Sequence, residues 1–474
     1  MKKAESEYST RRGLTKRHDF KPMKKVLIVA YHYPPNAAVG GTRPSKFARY
    51  LPEFGWEPTV LTATTGDVAA SITGSETAEI YRVQEWPHPL KCYERFMIER
   101  AKRKGQEEEF TAKLSVPYAV AMAPSRIRIA SLKRWLLGFL WLPDRELGWL
   151  APAIRRGVHL IRKKRIEYLL TTGPPFTCHL VGLALKRLTG VRWVADFRDP
   201  WSLTLKYPLF RTRATDAVER WLIRHVMEQA DLVLSVTTPM TEQARKEHPN
   251  LDPTKFVTLT NGFDPSDFSD QSAARRPSDP VVFSYLGTFY HGRTPVPFLR
   301  ALRCLIDDGR LNEHDIFVRF VGNVSRADGQ SVTELVKQLG LDHIVGVQPP
   351  VPRREALRQT LESHVVLVLD ERHPVQIPFK LYDALAAGAV IFNIGSRGAV
   401  SEVLARTGRG IAVEHTNPVE IQNGILECIR RSRCGETKMT PEPWRDPVIQ
   451  EFNFEQLTAR LAGFLENVGT AERP

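Results

Sequence analysis

Two carboxylates flank an arginine at a position where α/β proteins often bind ligands. Asp196, Arg198 and Asp199 directly follow residues 192–195, which we interpret as a strand. In open α/β sheets ligands lie beyond the carboxyl ends of the strands, where a carboxylate can act as acid, base or nucleophile. We therefore predict catalytic roles for Asp196 and Asp199. The alternative is an internal ion pair with Arg198 that only shapes the loop.

A single histidine lies in a second loop of this kind. Residues 167–171 form another predicted strand, and His179 follows it near the expected start of a helix. A histidine in a cleft can move a proton to or from a hydroxyl group, because its pKa lies near neutrality. We predict a catalytic role for His179. The alternative is a structural histidine, which is the commoner case for a lone one.

Two adjacent glycines follow the first predicted strand, residues 26–30. Gly40 and Gly41 precede a predicted helix over residues 44–54, whose bare backbone N–H groups and dipole favour phosphate. The alternative is a tight turn without a ligand. The chain has neither a GxGxxG nor a GxxxxGK motif, which argues against a dinucleotide oxidoreductase and a P-loop NTPase.

A short helix over residues 378–388 carries the fourth candidate group. Lys380 falls in its first turn, where a lysine opposes the helix dipole and so indicates a bound anion. Asp383 lies three residues later, on the same predicted face. A phosphate on Lys380 and a ribose hydroxyl on Asp383 would suit a nucleotide that lies across this helix.

The composition is that of an ordinary globular protein with an affinity for anions. The chain has 474 residues, 42% of them hydrophobic and 25% charged, which excludes general disorder and collagen. Its formal charge of +14 favours phosphorylated small molecules, nucleic acid or an acidic membrane surface. Five widely spaced cysteines indicate neither a disulfide framework nor a zinc site and suit a reducing cytosol. The longest uncharged stretch, residues 168–185, is interrupted by Gly173 and two prolines, so we predict no transmembrane helix.

The apolar runs predict two successive α/β halves. In the first half we predict strands at 26–30, 59–62, 167–171, 192–195 and 232–236. In the second half we predict strands at 281–286, 316–321, 365–369, 390–394 and 411–413. The resulting units are a basic arm (1–23), an N-terminal domain (24–264), a linker (265–280), a C-terminal domain (281–445) and a C-terminal helical segment (446–474) that could pack on either half.

Residues 76–150 depart from this rhythm and are predicted to be an insertion in the N-terminal domain. Within them, residues 125–142 combine apolar residues at helical spacing with basic residues and two tryptophans. Such a helix suits peripheral contact with a membrane or a lipid-linked acceptor. The alternative is a helix that packs on the core with a solvated basic face.

Taken together, these motifs resemble the family 4 glycosyltransferases of the GT-B fold. The resemblance rests on motifs that occur in the family's order over residues 24–470. They are residues 26–62 with Gly40-Gly41, then 196–201, 260–264, 286–288 and 378–388. It implies an α/β fold with two Rossmann-like domains facing across a cleft. It also implies a nucleotide-sugar donor on the C-terminal domain and transfer with retention of configuration.

The resemblance extends to individual residues of the donor site. Gly40 and Gly41 match the loop near the donor diphosphate, Lys380 matches a basic residue on that diphosphate, and Arg293 is a weaker match for the second one. Gly287 falls in the matching loop after the first strand of the second half.

One motif of the family is incomplete in this chain. Asp383 occupies the position of the second Glu of the Glu-x7-Glu motif, which binds ribose. The first Glu would fall at Val375, so the sequence departs from the motif there.

We predict that the reaction needs neither a metal ion nor a cofactor beyond the nucleotide-sugar substrate. The chain contains no Asp-x-Asp, the usual carboxylate pair for a sugar-nucleotide metal ion. Lys380, Arg293 and the Gly40-Gly41 amides can instead neutralise the charge on the leaving diphosphate.

The sequence thus predicts a cytoplasmic glycosyltransferase at the inner face of the membrane. It would add a sugar to a glycan or lipid-linked glycan in cell-surface polysaccharide biosynthesis, without binding nucleic acid. Two alternatives stay open: a nucleotide-sugar epimerase or sugar-phosphate synthase on the same fold, and a non-catalytic GT-B binding protein, which Val375 and Asp383 favour.

Overall fold

The computed structural model describes most of the chain. The described residues are 23–36, 38–64, 77–103, 138–201, 212–269, 279–289, 292–371, 373–434 and 442–470. Of the predicted basic arm only Met23 is described, and residues 125–137 of the predicted membrane helix and 270–278 of the predicted linker lie outside. None of the described helices is long and apolar enough to cross a bilayer.

The N-terminal half forms a seven-stranded parallel sheet in the order β3-β2-β1-β4-β5-β6-β7. Its strands are β1 (Lys24–Ala30), β2 (Trp56–Ala63), β3 (Glu79–Val83), β4 (Tyr168–Gly173), β5 (Arg192–Phe197), β6 (Leu232–Ser235) and β7 (Phe256–Thr258). The helices described here are α1 (Thr42–Tyr50), α2 (Pro89–Arg103), α3 (Leu150–Lys164), α4 (Thr177–Thr189), α5 (Arg213–Gln229) and α6 (Thr238–Glu247).

The C-terminal half contains a six-stranded parallel sheet in the order β12-β9-β8-β13-β14-β15. Its strands, with the small hairpin β10–β11, are β8 (Val281–Thr288), β9 (Ile316–Asn323), β10 (Arg326–Ala327), β11 (Gln330–Ser331), β12 (Val345–Gln348), β13 (Val365–Asp370), β14 (Val390–Gly395) and β15 (Gly410–Glu414). The helices described here are α7 (Val296–Asp307), α8 (Val332–Gln338), α9 (Arg353–Glu362), α10 (Phe379–Ala386), α11 (Ala399–Thr407) and α12 (Pro418–Arg433).

Both sheets have the order of a Rossmann fold, with a reversal beside the first strand of each. The reversals lie between β1 and β4 and between β8 and β13. Ligands of such sheets bind where the strand order reverses, outside the carboxyl ends of the strands. The central strands are buried on both faces, which explains why their sequences read as continuous apolar runs.

The sequence prediction missed the two-residue hairpin strands β10 and β11 and three strands of the large sheets. These three strands are short or lie at a sheet edge. β7 has three residues, β12 has four, and β3 is a half-buried edge strand, so their apolar signals are weak. Since β3 (Glu79–Val83) belongs to the N-terminal sheet, the prediction that the whole of residues 76–150 is an insertion was wrong there.

The last helix, α13 (Phe454–Thr470), returns to the N-terminal domain. Its buried residues Leu457, Leu461 and Leu465 pack in the same apolar cluster as Val26 and Ile28 of β1. The chain therefore crosses between the domains twice, and residues of both halves meet at the cleft.

Candidate active site

The reversal point of the C-terminal sheet brings together a set of charged residues. β8 ends near Gly287, β13 ends at Asp370, and α10 begins one residue before Lys380. Arg293 enters from the segment that follows β8 and contacts Asp370, with Nη2 3.3 Å from Oδ2. The family resemblance predicts donor-site roles for Gly287, Arg293 and Lys380, which lie in separate segments, and the fold places these segments around one reversal point.

The Lys380 side chain ends in a buried ammonium group. Its Nζ lies 3.1 Å from the centroid of the Tyr285 ring and has no hydrogen-bond acceptor among the described residues. Burial and the charge of Arg293 lower the pKa of Lys380 well below its usual value, while Asp370 opposes them. A buried cation of this kind is expensive unless an anion joins it. The site therefore lacks negative charge that a ligand would supply.

Asp370 is a site residue that the sequence analysis missed. Its Oδ1 is 2.7 Å from Nδ1 of His373 and accepts the His373 backbone N–H at 3.2 Å. It thus anchors both Arg293 and the loop that leads to α10. The sequence does contain a signal for Asp370, because this carboxylate directly follows the apolar run 365–369. The same kind of position led to the prediction for Asp196.

The backbone conformation at Gly287 requires a glycine. Its φ is +150°, a region that other residues rarely adopt. Its carbonyl oxygen lies 2.0 Å from where a Cβ on Gly322 of β9 would be, so two backbones meet closely here. The exposed end of β8 is therefore bare backbone that a ligand can approach.

A cavity of about 180 Å³ lies between the two domains. Its polar lining comes from Arg43, Arg198, Asp199 and Asn261 on the N-terminal side and from Arg293 and Gln376 on the C-terminal side. Its apolar lining comes from Val39, Ile377, Pro378 and Phe379. Of the three residues for which catalytic roles were predicted, Asp199 is the one that lines it.

The Asp199 carboxylate meets a side chain from the other domain. Its Oδ1 accepts a hydrogen bond of 2.6 Å from Nε2 of Gln376. Burial raises the pKa of Asp199, and the charge of Arg198 and the Gln376 hydrogen bond oppose this. Asp199 is therefore held in the cleft with positive charge beside it.

Asp196 does not line the cavity, so the structure does not support the catalytic role that was predicted for it. Its side chain is fully buried, and Arg43 grips it with Nη2 2.9 Å from Oδ1 and Nε 3.0 Å from Oδ2. The Thr172 hydroxyl donates to Oδ2 at 2.7 Å. The alternative interpretation was an internal ion pair with Arg198. Asp196 does form an internal ion pair, but its partner is Arg43.

His179 is fully buried and does not line the cavity, so the structure does not support the catalytic role that was predicted for it. None of its surface is exposed, and its ring stacks on Phe197 with centroids 4.2 Å apart. Burial lowers the pKa of His179 to about 3. Trp193 Nε1 donates to Thr171 Oγ1, whose own hydrogen can then go to Nδ1 of His179. The ring is neutral near pH 7 and does not line the cavity.

Gly40 and Gly41 lie in a short turn before α1. The contacts of this turn do not support the predicted role of the two glycines on the diphosphate. The Gly41 N–H donates to Ala38 O at 2.9 Å and so is not bare. A Cβ on Gly40 would lie 2.7 Å from Nη1 of Arg198. Gly40 leaves room for Arg198 to pack against the turn, and Arg198 lines the cavity.

Asp383 has a protein partner at the position where the sequence suggested ribose. Both carboxylate oxygens accept hydrogen bonds from Arg353, at 2.6 and 2.7 Å. The Lys380 ammonium lies over Tyr285 instead, so the two side chains do not share one ligand-facing surface. Spacing on α10 was a poor guide because each side chain follows its own tertiary partner.

Val375 makes contact with the N-terminal domain. Its side chain packs against the apolar cluster beneath the N-terminal sheet, and its carbonyl accepts the Thr237 hydroxyl at 2.6 Å. A glutamate here would bring a charge against apolar side chains. Within the described residues, no group of three histidine, cysteine or acidic side chains could hold a metal ion.

The N-terminal half matches a known family. Residues 40–262 fit the model of the glycosyl transferase 4-like domain. This match assigns the N-terminal domain, and not the whole chain, to that family. No curated protein matches the sequence of this chain.

Solved structures of other proteins share the fold of this chain. Sucrose-phosphate synthase from Thermosynechococcus elongatus has a TM-score of 0.61 at 14% identity, covering 95% of this chain and 100% of its own. Anabaena HepE in complex with UDP-glucose has a TM-score of 0.57 at 13% identity, covering 94% and 99%. WaaG, a glycosyltransferase involved in lipopolysaccharide biosynthesis, has a TM-score of 0.53 at 13% identity, covering 93% and 99%. The predicted GT-B fold is confirmed.

Proposed function

We propose that this protein is a glycosyltransferase that takes its sugar from a nucleotide-sugar donor bound at the C-terminal domain. The observation that carries the proposal is the buried Lys380 ammonium, which has no acceptor among the described residues. A diphosphate that bridges Lys380 and Arg293 would supply the missing negative charge. Gly287 lies at the same strand end, where bare backbone allows close approach. HepE, which shares the fold, was solved with UDP-glucose.

The same cations would assist departure of the nucleoside diphosphate. As the bond to the anomeric carbon breaks, negative charge grows on the diphosphate, and fixed cations in a water-poor cleft stabilise it. This supports transfer without a metal ion. Asp199 lines the cleft and would stabilise the positive charge that develops on the sugar. Retention of anomeric configuration remains part of this proposal and rests on the family resemblance.

The acceptor is proposed to be a glycan or lipid-linked glycan on the N-terminal side of the cleft. WaaG, which shares the fold, is involved in lipopolysaccharide biosynthesis. The net charge of +14 favours an anionic lipid surface nearby, so we place the reaction at the cytoplasmic face of a membrane, in cell-surface polysaccharide biosynthesis.

The donor site is tested by thermal-shift measurements against UDP, GDP, ADP, dTDP and CMP sugars, with and without EDTA. We expect one nucleotide family to raise the melting temperature regardless of EDTA. Lys380→Ala should abolish the shift, and Lys337→Ala, an exposed helical lysine of the same domain, should keep it. No shift with any nucleotide, or an equal shift in Lys380→Ala, would refute the donor site.

The acceptor class is tested with the donor that this screen identifies. Transfer of labelled sugar to lipid-extractable or polymeric glycan is the expected result. Transfer to a sugar phosphate, or epimerisation of the donor, would favour the same-fold alternatives. Binding without turnover on any of these acceptors would favour the non-catalytic one.

A further inference from the structure

A short segment of the donor domain makes two contacts across the cleft. Residues 374–377 lie between β13, which ends at Asp370, and α10, which begins at Phe379, and we call them the connecting segment. The Val375 carbonyl accepts the Thr237 hydroxyl at 2.6 Å, and the Gln376 amide donates to Asp199 at 2.6 Å. Thr237 and Asp199 both belong to the N-terminal domain. These hydrogen bonds therefore exist only when the two domains face each other as they do here.

The connecting segment also leads directly into the helix that carries Lys380. Gln376 lies four residues before Lys380, and Pro378 caps the helix between them. Arg293 and Gln376 both line the interdomain cavity. A ligand that fixes Lys380 therefore also fixes the backbone from which Gln376 reaches Asp199.

We propose that Gln376 is a positioning residue that orients the Asp199 carboxylate when the donor-loaded domain closes on the N-terminal domain. This inference rests on the proposed function, because it assigns Asp199 to the transfer step. Gln376 of the donor domain thus orients Asp199 of the N-terminal domain. The carboxylate would be correctly placed only in the closed arrangement, which limits wasteful reaction of the donor with water.

The charges around Asp199 make this hydrogen bond consequential. Burial alone would favour the protonated carboxyl, and Arg198, Gln376, Arg293 and His373 favour the ionised one by lowering its pKa. Arg43 also lines the cavity but is already paired with Asp196. Among these groups, Gln376 donates directly to Asp199 at 2.6 Å. Being an amide, it donates at any pH between 4 and 9 without bringing a charge of its own.

The first test needs no substrate. Asp199→Ala, Gln376→Leu and the double variant are compared by thermal unfolding between pH 4.5 and pH 8. We expect the two substitutions to be non-additive at pH 8 and closer to additive in acid, because a protonated Asp199 accepts the Gln376 hydrogen bond more weakly than the carboxylate does. Additivity at every pH would overturn the proposed contact. This result would stand whether or not the protein binds a nucleotide.

The second test uses the donor identified above and follows release of its nucleoside diphosphate as a function of pH. Without the Gln376 hydrogen bond the pKa of Asp199 rises, so the acidic limb of the kcat profile should move to higher pH in Gln376→Leu. In Gln376→Glu a neighbouring carboxylate raises it further, so the limb should move further in the same direction. Donor affinity should stay within about twofold of wild type, because Gln376 is assigned to the carboxylate and not to the diphosphate.

Gln243→Leu is the matched control. Gln243 also donates to a carboxylate, that of Glu247 at 2.8 Å, but within one helix of one domain. It should leave the pH profile unchanged. A lower kcat in Gln376→Leu with an unmoved acidic limb would show a merely structural role and overturn the proposal. If no nucleotide sugar raises the melting temperature, the proposed function is refuted. The first test would then still decide whether Gln376 and Asp199 interact.

Discussion

Arg43 and Asp196 form a buried ion pair that ties the first helix to the fifth strand of the N-terminal sheet. The Nη2 and Oδ1 atoms are 2.9 Å apart, and both side chains are 1% exposed. The same guanidinium donates to the carbonyls of Leu259 and Thr260, at 2.8 and 2.5 Å. One arginine thus holds α1, β5 and the start of the crossover to the donor domain together.

We expect Arg43→Met to destabilise the protein by about 3–5 kcal/mol, because Asp196 would be left buried and unpaired. Urea unfolding at pH 7.5 measures the effect. Glu57→Gln, which removes the half-exposed Lys25–Glu57 pair, is the control and should change stability by less than about 1 kcal/mol. Normal stability in Arg43→Met would contradict the structural role assigned to Asp196.

We expect His179 to make the protein less stable as the pH falls. Burial lowers the pKa of His179 to about 3 from a usual 6.5, so in acid only the unfolded state takes up the proton. Between pH 7.5 and 5.5 this removes about 1.4 kcal/mol of stability. In His179→Gln the free energy of unfolding should not lose this amount between pH 7.5 and 5.5. The substitution His314→Gln, at an exposed position, should leave the loss unchanged. Parallel slopes for wild type and His179→Gln would contradict the prediction.

We expect Lys380→Met to raise stability while abolishing nucleotide binding. The substitution removes a buried cation with no acceptor among the described residues, which should be worth about 1–3 kcal/mol. Since the pKa of Lys380 is lowered in the folded protein, the gain should be larger at pH 7 than at pH 10, where the lysine is already mostly neutral. Urea unfolding at both pH values measures it. A loss of stability at pH 7 would mean that Lys380 has a structural partner.

We expect Arg353→Ala to destabilise the protein at neutral pH and much less in acid. Burial raises the pKa of Asp383, and the Arg353 charge opposes this, so without Arg353 the ionised carboxyl is disfavoured in the fold. Near pH 4 the carboxyl is protonated in the folded variant and partly so in the unfolded chain, and the deficit shrinks. Thermal unfolding at pH 7.5 and pH 4.5 compares it with Arg358→Ala, an exposed arginine of the same helix. Equal effects of the two substitutions at both pH values would contradict the role of Asp383 as a partner of Arg353.

The sequence by itself determined the architecture and one end of the site. Apolar runs such as 26–30 and 365–369 are stable only as strands covered on both faces, so two parallel sheets could be predicted. Lys380 was recognisable because a lysine in the first turn of a helix opposes the helix dipole and therefore indicates a bound anion. Both signals are local in the chain.

Only the tertiary structure decided which of the polar residues after the strands face the cleft. Asp196 and Asp199 are three residues apart, yet the first is sealed by Arg43, 153 residues away in the chain, and the second meets Gln376, 177 residues away. Asp383 is likewise taken by Arg353. A local pattern does not contain these partners, because the direction and burial of each side chain depend on segments that only the folded chain brings together.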